Sequence, residues 1–485
     1  MDKINVKMQH INIFAYMVTV TICLLLYPAA QFIGFDYIYF LCLGFCICYC
    51  VSLACFIKTK GVASISCLFW ICLFAFAGSR PFLYVFGTFN FMNAPYSIMG
   101  DFLWTTQTAI TVIAYYIVFM GIFSAIILSE GNQNRSAVQP GPERTLRNGK
   151  DHPFASIHQI LYIAYYVTAP IILLFYLIQA LMVVQYGYVS LYNGKINEII
   201  PFAGAFSIAR LVFTVSYYAI LSFEKREKHF LIAASLFLVI NAVQLIQGSR
   251  AGLITAAFTF LVLYCVRFKR KFKLRWLIIV LLLGIPILEM ISYVRSGVDL
   301  KNLSIAESYS SFFSALSGSF NVPAYYLQNK EALSFNTYPY IMEPIVKLIQ
   351  YYQNVDVYSS GQTQEMINIR YNLGHQISYH ILPGYYLQGN NVASNFIAEM
   401  AEFGIVGVIV FSAIFAGMIR YVENAIRNQS PFICYMSVEL CTWIFMAPRA
   451  SVFYDTYNLV KWGLIYFFLL FVGSIFTKNI LRRKS

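Results

Sequence analysis

Apolar residues run along this chain in twelve long stretches. They cover approximately 11–34, 36–57, 62–79, 102–128, 157–186, 201–223, 230–247, 251–267, 276–294, 396–419, 431–448 and 462–477. A hydrophobic run of about 18 or more residues is long enough to cross a bilayer as a helix. The pattern therefore predicts an all-α polytopic membrane protein with about twelve transmembrane helices. Gly248, between two of these runs, marks either a tight turn or a broken helix.

The connections alternate in charge. With the N-terminus inside, the loops 1–10, 58–61, 129–156, 224–229, 268–275, 420–430 and 478–485 face the cytoplasm, and with Arg267 at the border they hold 23 of the 34 Lys and Arg. Lys and Arg concentrate in cytoplasmic loops, so both termini are expected there. Residues 11–34 are too long for the apolar core of a cleavable signal, about 7–15 residues. The opposite side carries one large element, 295–395, too long for a bare connector and of the kind that is usually functional. Three regions result: 1–294 with nine spans, 295–395 as the large external loop, and 396–485 with three spans and a tail. Within the loop, 303–328 and 340–352 have amphipathic helical spacing suited to lying along the membrane surface.

Composition agrees with this reading: 59% of residues are hydrophobic and 11% charged, with mean hydropathy +0.65, whereas soluble domains carry roughly 25% charged residues. The net charge of +13 does not point to nucleic acid, because the excess lies in short juxtamembrane loops that orientation and anionic lipid retain. All eleven Cys fall in predicted spans, so no disulfide framework is implied. Cys46, Cys48 and Cys50, spaced by two, do not share a helix face.

The candidate chemistry lies on the external side. Arg80, Arg250, Arg295, Arg370 and Arg449 lie at or just past external ends of spans, and Arg210 about ten residues into one, near mid-membrane. Arginine stays charged and grips phosphate bidentately, so the set fits a polyanionic lipid headgroup such as a pyrophosphate. Each arginine also has a plain alternative, snorkelling or pairing with a nearby acid. Glu399 and Glu402, three apart, share a helix face within two turns of the external end. They read either as structural partners of Arg210 or Arg250, or as a general base and its orienter. The external histidines, His375 and His380, are alternative bases. No metal or other cofactor is expected: there is no His-Glu-x-x-His, no Asp-x-Asp and no Gly-rich phosphate loop. The loop's twelve tyrosines suit sugar rings and a membrane interface equally.

Three segments bring a family into view. QGSRAGLITAAFTFLVLYCV (247–266) resembles the Ser-Arg-x-Gly turn that opens a span in polymerases and ligases of bacterial surface polysaccharides. VASNFIAEMAEFGIVG (392–407) is similar to the ligase pattern Ala-His-Asn followed by Glu-x-Gly-x-x-Gly, with Glu402, Gly404 and Gly407 on the pattern. APRASVFYD (447–455) resembles a Pro-Arg-Gly-Ser element of Wzy-type O-antigen polymerases. Where the ligase pattern has His-Asn, this chain has Ala393-Ser394, which favours polymerase over ligase and leaves the base unassigned. The resemblance implies a GT-C-like helical core in the bacterial inner membrane with the large loop periplasmic. It implies an enzyme joining undecaprenyl-pyrophosphate-linked oligosaccharide repeats, donor and acceptor alike, with Arg250 at the pyrophosphate and a chain-length regulator as a candidate partner. An O-antigen ligase acting on the lipid A core and a flippase of lipid-linked sugars are the rival readings. The unequal loops and the lack of an internal repeat speak against the flippase.

Overall fold

The computed structural model of the chain describes residues 2–33, 36–92, 104–129, 153–186, 203–246, 250–296, 305–333, 338–353, 362–369, 371–387, 394–428, 430–453, 456 and 458–482. Among the described residues all regular structure is helical and no strand occurs. Nine segments there are long and apolar enough to cross a membrane: Val6–Pro28, Tyr37–Thr59, Ile65–Val85, Thr106–Leu128, His158–Tyr186, Gly204–Phe223, Phe396–Arg427, Pro431–Arg449 and Asn458–Ile475. The chain is an all-helical, multi-pass membrane protein. The other three sequence spans correspond to the helices Glu227–Val243, Arg250–Arg267 and Leu274–Ser296. The first has 17 residues, Gly252–Arg267 counts as a shorter apolar helix, and none joins the nine by length and hydropathy over the described residues. The turn at Gly248 lies outside the described residues.

The chain forms two compact units, one of residues 1–129, 271–423 and 443–456, the other of 130–270, 424–442 and 457–485. In the first, polar side chains bind helices to one another inside an apolar bundle. Ser52 Oγ donates to Asn12 Oδ1 at 2.9 Å and receives the Ser124 hydroxyl at 3.0 Å, with the Tyr16 hydroxyl 3.0 Å away. Lipid offers a buried polar group no water, so such groups must find partners in the protein. Phe69, Phe119, Phe123, Phe396 and Phe415 interlock beside them, Phe119 meeting Phe396 edge-on at 4.7 Å.

The helix Ile65–Leu73 starts at Ser64, whose hydroxyl caps Cys67 N–H, and Glu423 Oε1 accepts from Ser66 N–H (2.9 Å) and Ser66 Oγ (2.6 Å). A π-turn, Phe74–Gly78, links it to Ser79–Val85. Single π-turns inside helices recur at functional sites.

The segment within 303–328, expected to lie along a membrane surface, departs from a surface helix. Ile305–Leu316, a 3-10 turn Ser317–Asn321 and Val322–Asn329 are helical as the spacing predicts, but Ser317, Phe320, Val322, Ala324 and Tyr325 are buried. The amphipathic face is turned into the unit's own core. The helix Glu343–Tyr352 instead exposes Ile345, Leu348, Ile349 and Tyr352, as an interfacial helix would.

The tenth sequence span is not one helix. Phe396–Met400 is α-helical, Ala401–Phe403 is a 3-10 turn, and the long helix starts at Gly404 with φ 64° and ψ −155°, a backbone region open essentially to glycine alone. At Gly407 a Cβ would stand 2.2 Å from Met400 O and 2.6 Å from Phe403 Cβ. The two glycines thus let the chain fold back on itself. Glu399 lies on the short α-helix and Glu402 on the 3-10 turn that follows it. Gly407→Ala is expected to abolish accumulation of folded protein, because the clash is with backbone that cannot swing away. Gly404→Ala is expected to cost about 1–3 kcal/mol. Thermal unfolding of the detergent-solubilised chain, read beside membrane expression level, checks both.

The second unit packs Pro153–Tyr186, Ala203–Phe223, Glu227–Val243, Arg250–Arg267 and Asn458–Arg482. Its core is a pile of rings, with Tyr217 on Phe237 at 3.7 Å and Tyr165 on Phe213 at 4.9 Å. At one end Glu224 is buried. Desolvation opposes its charge, but the Tyr162 hydroxyl, the Arg226 N–H and the charges of Arg226 and His229 outweigh that and hold its carboxyl below the usual range. Glu227 is likewise held down by the Tyr264 hydroxyl and Arg270. A carboxyl with a depressed folded pKa contributes stability above its unfolded value, and that contribution disappears as pH falls through the folded value. The melting temperature of the solubilised chain should therefore fall on acidification below about 4.5, the ordinary value. Glu224→Gln should reduce the slope of that fall.

Candidate functional site

Asn395 caps the helix Phe396–Met400 from an extended conformation, φ −152° and ψ 128°, its Oδ1 accepting the Ile397 N–H at 2.8 Å. Its Nδ2 donates to the Tyr116 hydroxyl at 2.7 Å, to Ser319 O at 2.9 Å and to Pro448 O at 3.2 Å. Donors face acceptors on every side, which fixes the orientation of the amide. The side chain is fully buried. One carboxamide thus joins four pieces of the first unit: the helix Thr106–Leu128, the 3-10 turn Ser317–Asn321, the 392–407 motif and the 447–455 motif.

Glu399 makes a second brace across the same two motifs. Its Oε2 accepts the Val452 N–H at 2.9 Å and its Oε1 the Ser394 hydroxyl at 3.4 Å, with no exposed surface. Glu343 and Glu402 lie close enough for their charges to act on it. Glu402, on the 3-10 turn, is only half-buried. Its oxygens accept the N–H groups of Tyr340 (3.0 Å) and Ile341 (3.3 Å), where a helical segment begins and backbone donors are unpaired.

Tyrosines surround this carboxylate. Burial, then the charge of Glu402 and Tyr115, push the Tyr326 phenol up to about 12. Burial and Glu402 likewise raise Tyr371, which packs against Tyr340 with ring centroids 5.5 Å apart. Both phenols stay protonated at neutral pH and can donate hydrogen bonds.

His375 stands on the helix Leu373–Ile381, capped by Asn372, whose Oδ1 accepts the His375 N–H at 3.2 Å. The Asn372 amide donates to both oxygens of buried Glu343 at 3.0 and 3.1 Å, and Lys347 pairs with the same carboxylate. His375 Nδ1 is 3.2 Å from the Tyr386 hydroxyl. His380, five residues on, is exposed.

The arginines divide. Arg449 is half-buried on the 3-10 turn Ala447–Arg449, its guanidinium carbon 5.9 Å from the Phe76 ring centroid. Arg80 is 2% exposed, donates to Ser317 Oγ (3.1 Å) and Ser314 O (3.0 Å), and lies 4.7 Å from the Phe89 ring centroid. Arg295 is near the end of Leu274–Ser296 in the same unit. Arg210 and Arg250 belong to the second unit, Arg210 exposed beside Tyr176 and Arg250 opening its helix. Arg370 lies outside the described residues. Among the described residues no group of three or more His, Cys, Asp or Glu could share a metal ion.

The first unit therefore brings together Glu399, Glu402, Arg449 and the Arg80 segment. Sequence reasoning missed Asn395, Tyr116, Glu343 and Asn372. The two asparagines had a readable signal, since Asn directly before an apolar run is a helix-start signature. Glu343 and Tyr116 had none.

The family model for the O-antigen polysaccharide polymerase Wzy matches residues 11–479 of the chain. No curated protein and no solved structure gives a match.

Asn395→Ala would leave two carbonyls, a hydroxyl and an N–H without their partner in a buried site, each worth about 1–3 kcal/mol. A loss of about 2–4 kcal/mol is expected after relaxation. Denaturant or thermal unfolding checks this, with Tyr116→Phe, which removes one contact, expected to cost about 1 kcal/mol.

Proposed function

Because the chain belongs to the O-antigen polysaccharide polymerase Wzy family, we propose that it joins undecaprenyl-pyrophosphate-linked oligosaccharide repeats at the periplasmic face of the inner membrane. The observation that carries this reading is the meeting of the 392–407 and 447–455 motifs at Asn395, which sets Arg449 and the two acids in one unit. In the reaction a sugar hydroxyl of the incoming repeat attacks the anomeric carbon of the growing chain. The carbon–oxygen bond to pyrophosphate breaks, undecaprenyl pyrophosphate leaves with the bonding pair, and the hydroxyl proton passes to a base.

Glu402 is the favoured base or orienter. Each of its oxygens accepts one backbone N–H, and a carboxylate oxygen has a second acceptor direction open to a sugar hydroxyl. Glu399, enclosed and braced on both oxygens, holds the motif in place. His375 is the alternative base and His380 the more exposed one. Arg449 takes the pyrophosphate, where fixed positive charge stabilises the leaving group; the family resemblance assigns the same role to Arg250. Arg210, Arg295 and Arg370 complete the candidate set. Arg80, also a pyrophosphate candidate, is bonded to the 314–317 segment.

A lipopolysaccharide ladder gel of a deletion strain complemented with variants tests the assignment. The parent chain should restore the ladder. Glu402→Gln at normal expression should leave core capped with single repeats, with a rate loss of roughly 10²–10⁴-fold in reconstitution with lipid-linked repeats. A full ladder from Glu402→Gln removes it from the chemistry. Core bearing no repeat at all in the deletion strain would indicate a ligase instead.

A further inference from the structure

One end of the second unit carries six cations around two carboxylates. The helix Ala203–Phe223 stops at Phe223, the chain turns through 224–226 into Glu227–Val243, and Arg250–Arg267 ends beside that turn. Arg267 donates to Glu224 O at 3.0 Å and to Ser222 O, and Arg270 meets Glu227 Oε2 at 3.0 Å. The loops 224–226 and 268–270 therefore form one face, at the ends of the apolar segments Gly204–Phe223 and Gly252–Arg267.

Both acids on that face are already engaged. Glu224 is 5% exposed and takes the Tyr162 hydroxyl and the Arg226 N–H at 2.7 Å. Glu227 takes the Tyr264 hydroxyl at 2.7 Å and Arg270. Lys225, Arg226, Lys228, Lys269 and Arg270 are exposed, so cations outnumber anions in what the face presents to its surroundings.

Lys269 adds an independent sign. Its φ is 52°, the left-handed conformation of a helix C-terminal cap, completed by Arg270 N–H to Cys265 O at 3.1 Å. Glycine is the usual residue there because a Cβ strains that backbone. A lysine in its place holds a charge at the tip of the turn against a local conformational cost.

We propose that this face binds the phosphate headgroups of anionic phospholipids in the adjoining leaflet. Basic residues next to a membrane-spanning segment attract acidic lipid additively, and lysine ammonium groups on flexible stems suit mobile headgroups as point charges.

Native mass spectrometry of the full chain in detergent tests the proposal, titrating phosphatidylglycerol against phosphatidylcholine of the same acyl chains, with inorganic pyrophosphate as a free-anion arm. Phosphatidylglycerol should bind in preference. The triple variant Lys225→Gln, Lys228→Gln, Lys269→Gln should lower that preference by on the order of tenfold or more. Lys269→Gly alone should lower it while keeping or raising thermal stability, which separates loss of charge from loss of fold. Equal binding of the two lipids, an unchanged preference in the triple variant, or full displacement of lipid by pyrophosphate would each overturn the proposal.

Discussion

The Asn395 carboxamide is the constraint on which the first unit's geometry depends. Its donors and acceptor link residues 116, 319, 397 and 448, which come from four separate stretches of chain. Inside an apolar bundle such bonds have no aqueous substitute, so four segments have one mutual arrangement in which all of these groups are satisfied. The Phe396 ring, directly after Asn395, enters the Phe69–Phe119–Phe415 cluster, and this apolar contact fixes the direction in which the motif leaves the cap. Glu399 then binds Val452, and Glu402 emerges on the next turn with its carboxylate on Tyr340 and Ile341. The half-exposed acid is thus positioned by fully enclosed residues, the arrangement a catalytic group needs if its support is to stay rigid.

The first unit also shows where its acids find their partners. Glu399, Glu402 and Glu423 each accept at least one backbone N–H, from Val452, from Tyr340 and Ile341, and from Ser66. For Glu402 and Glu423 those N–H groups stand at the start of a helical segment, where the helix dipole favours negative charge. The spacing of Glu399 and Glu402 had left open a pairing with Arg210 or Arg250. Among the described residues their hydrogen bonds run to backbone N–H groups and to Ser394. In the second unit Glu224 and Glu227 are bound by tyrosine hydroxyls and neighbouring cations.

The all-helical, membrane-spanning class was legible because runs of apolar residues carry it directly. The local geometry of the motif was not. A continuous apolar run reads as one helix, whereas the helix passes into a 3-10 turn at 401–403 and restarts at Gly404 with φ 64°, for which Gly-x-x-Gly at 404–407 was the available hint. The 303–328 segment had the spacing of a surface helix, yet its apolar face meets Phe76, Phe91, Trp104 and Tyr116 through Ser319 and Phe320, which sequence distance hides. Arg80 was read from its place at a span end. Its burial follows from contacts with Ser314 and Ser317, more than two hundred residues away. Asn395 went unread because the family pattern aligns its own Asn one position earlier, at Ser394.

Two carboxylates three residues apart invite a single catalytic pair, and their surroundings argue for a division of labour. A base must meet a substrate hydroxyl within hydrogen-bond reach. Glu399 has no exposed surface and holds a hydroxyl and an N–H belonging to its own unit, so engaging substrate would require it to release the brace that shapes the site. Glu402 loses nothing by meeting a sugar, because its two amide bonds use one acceptor direction per oxygen. The phenols of Tyr326 and Tyr371 nearby stay protonated and are buried in the core behind it. On the proposed reading, the buried acid positions and the half-buried acid reacts, and the two roles do not compete.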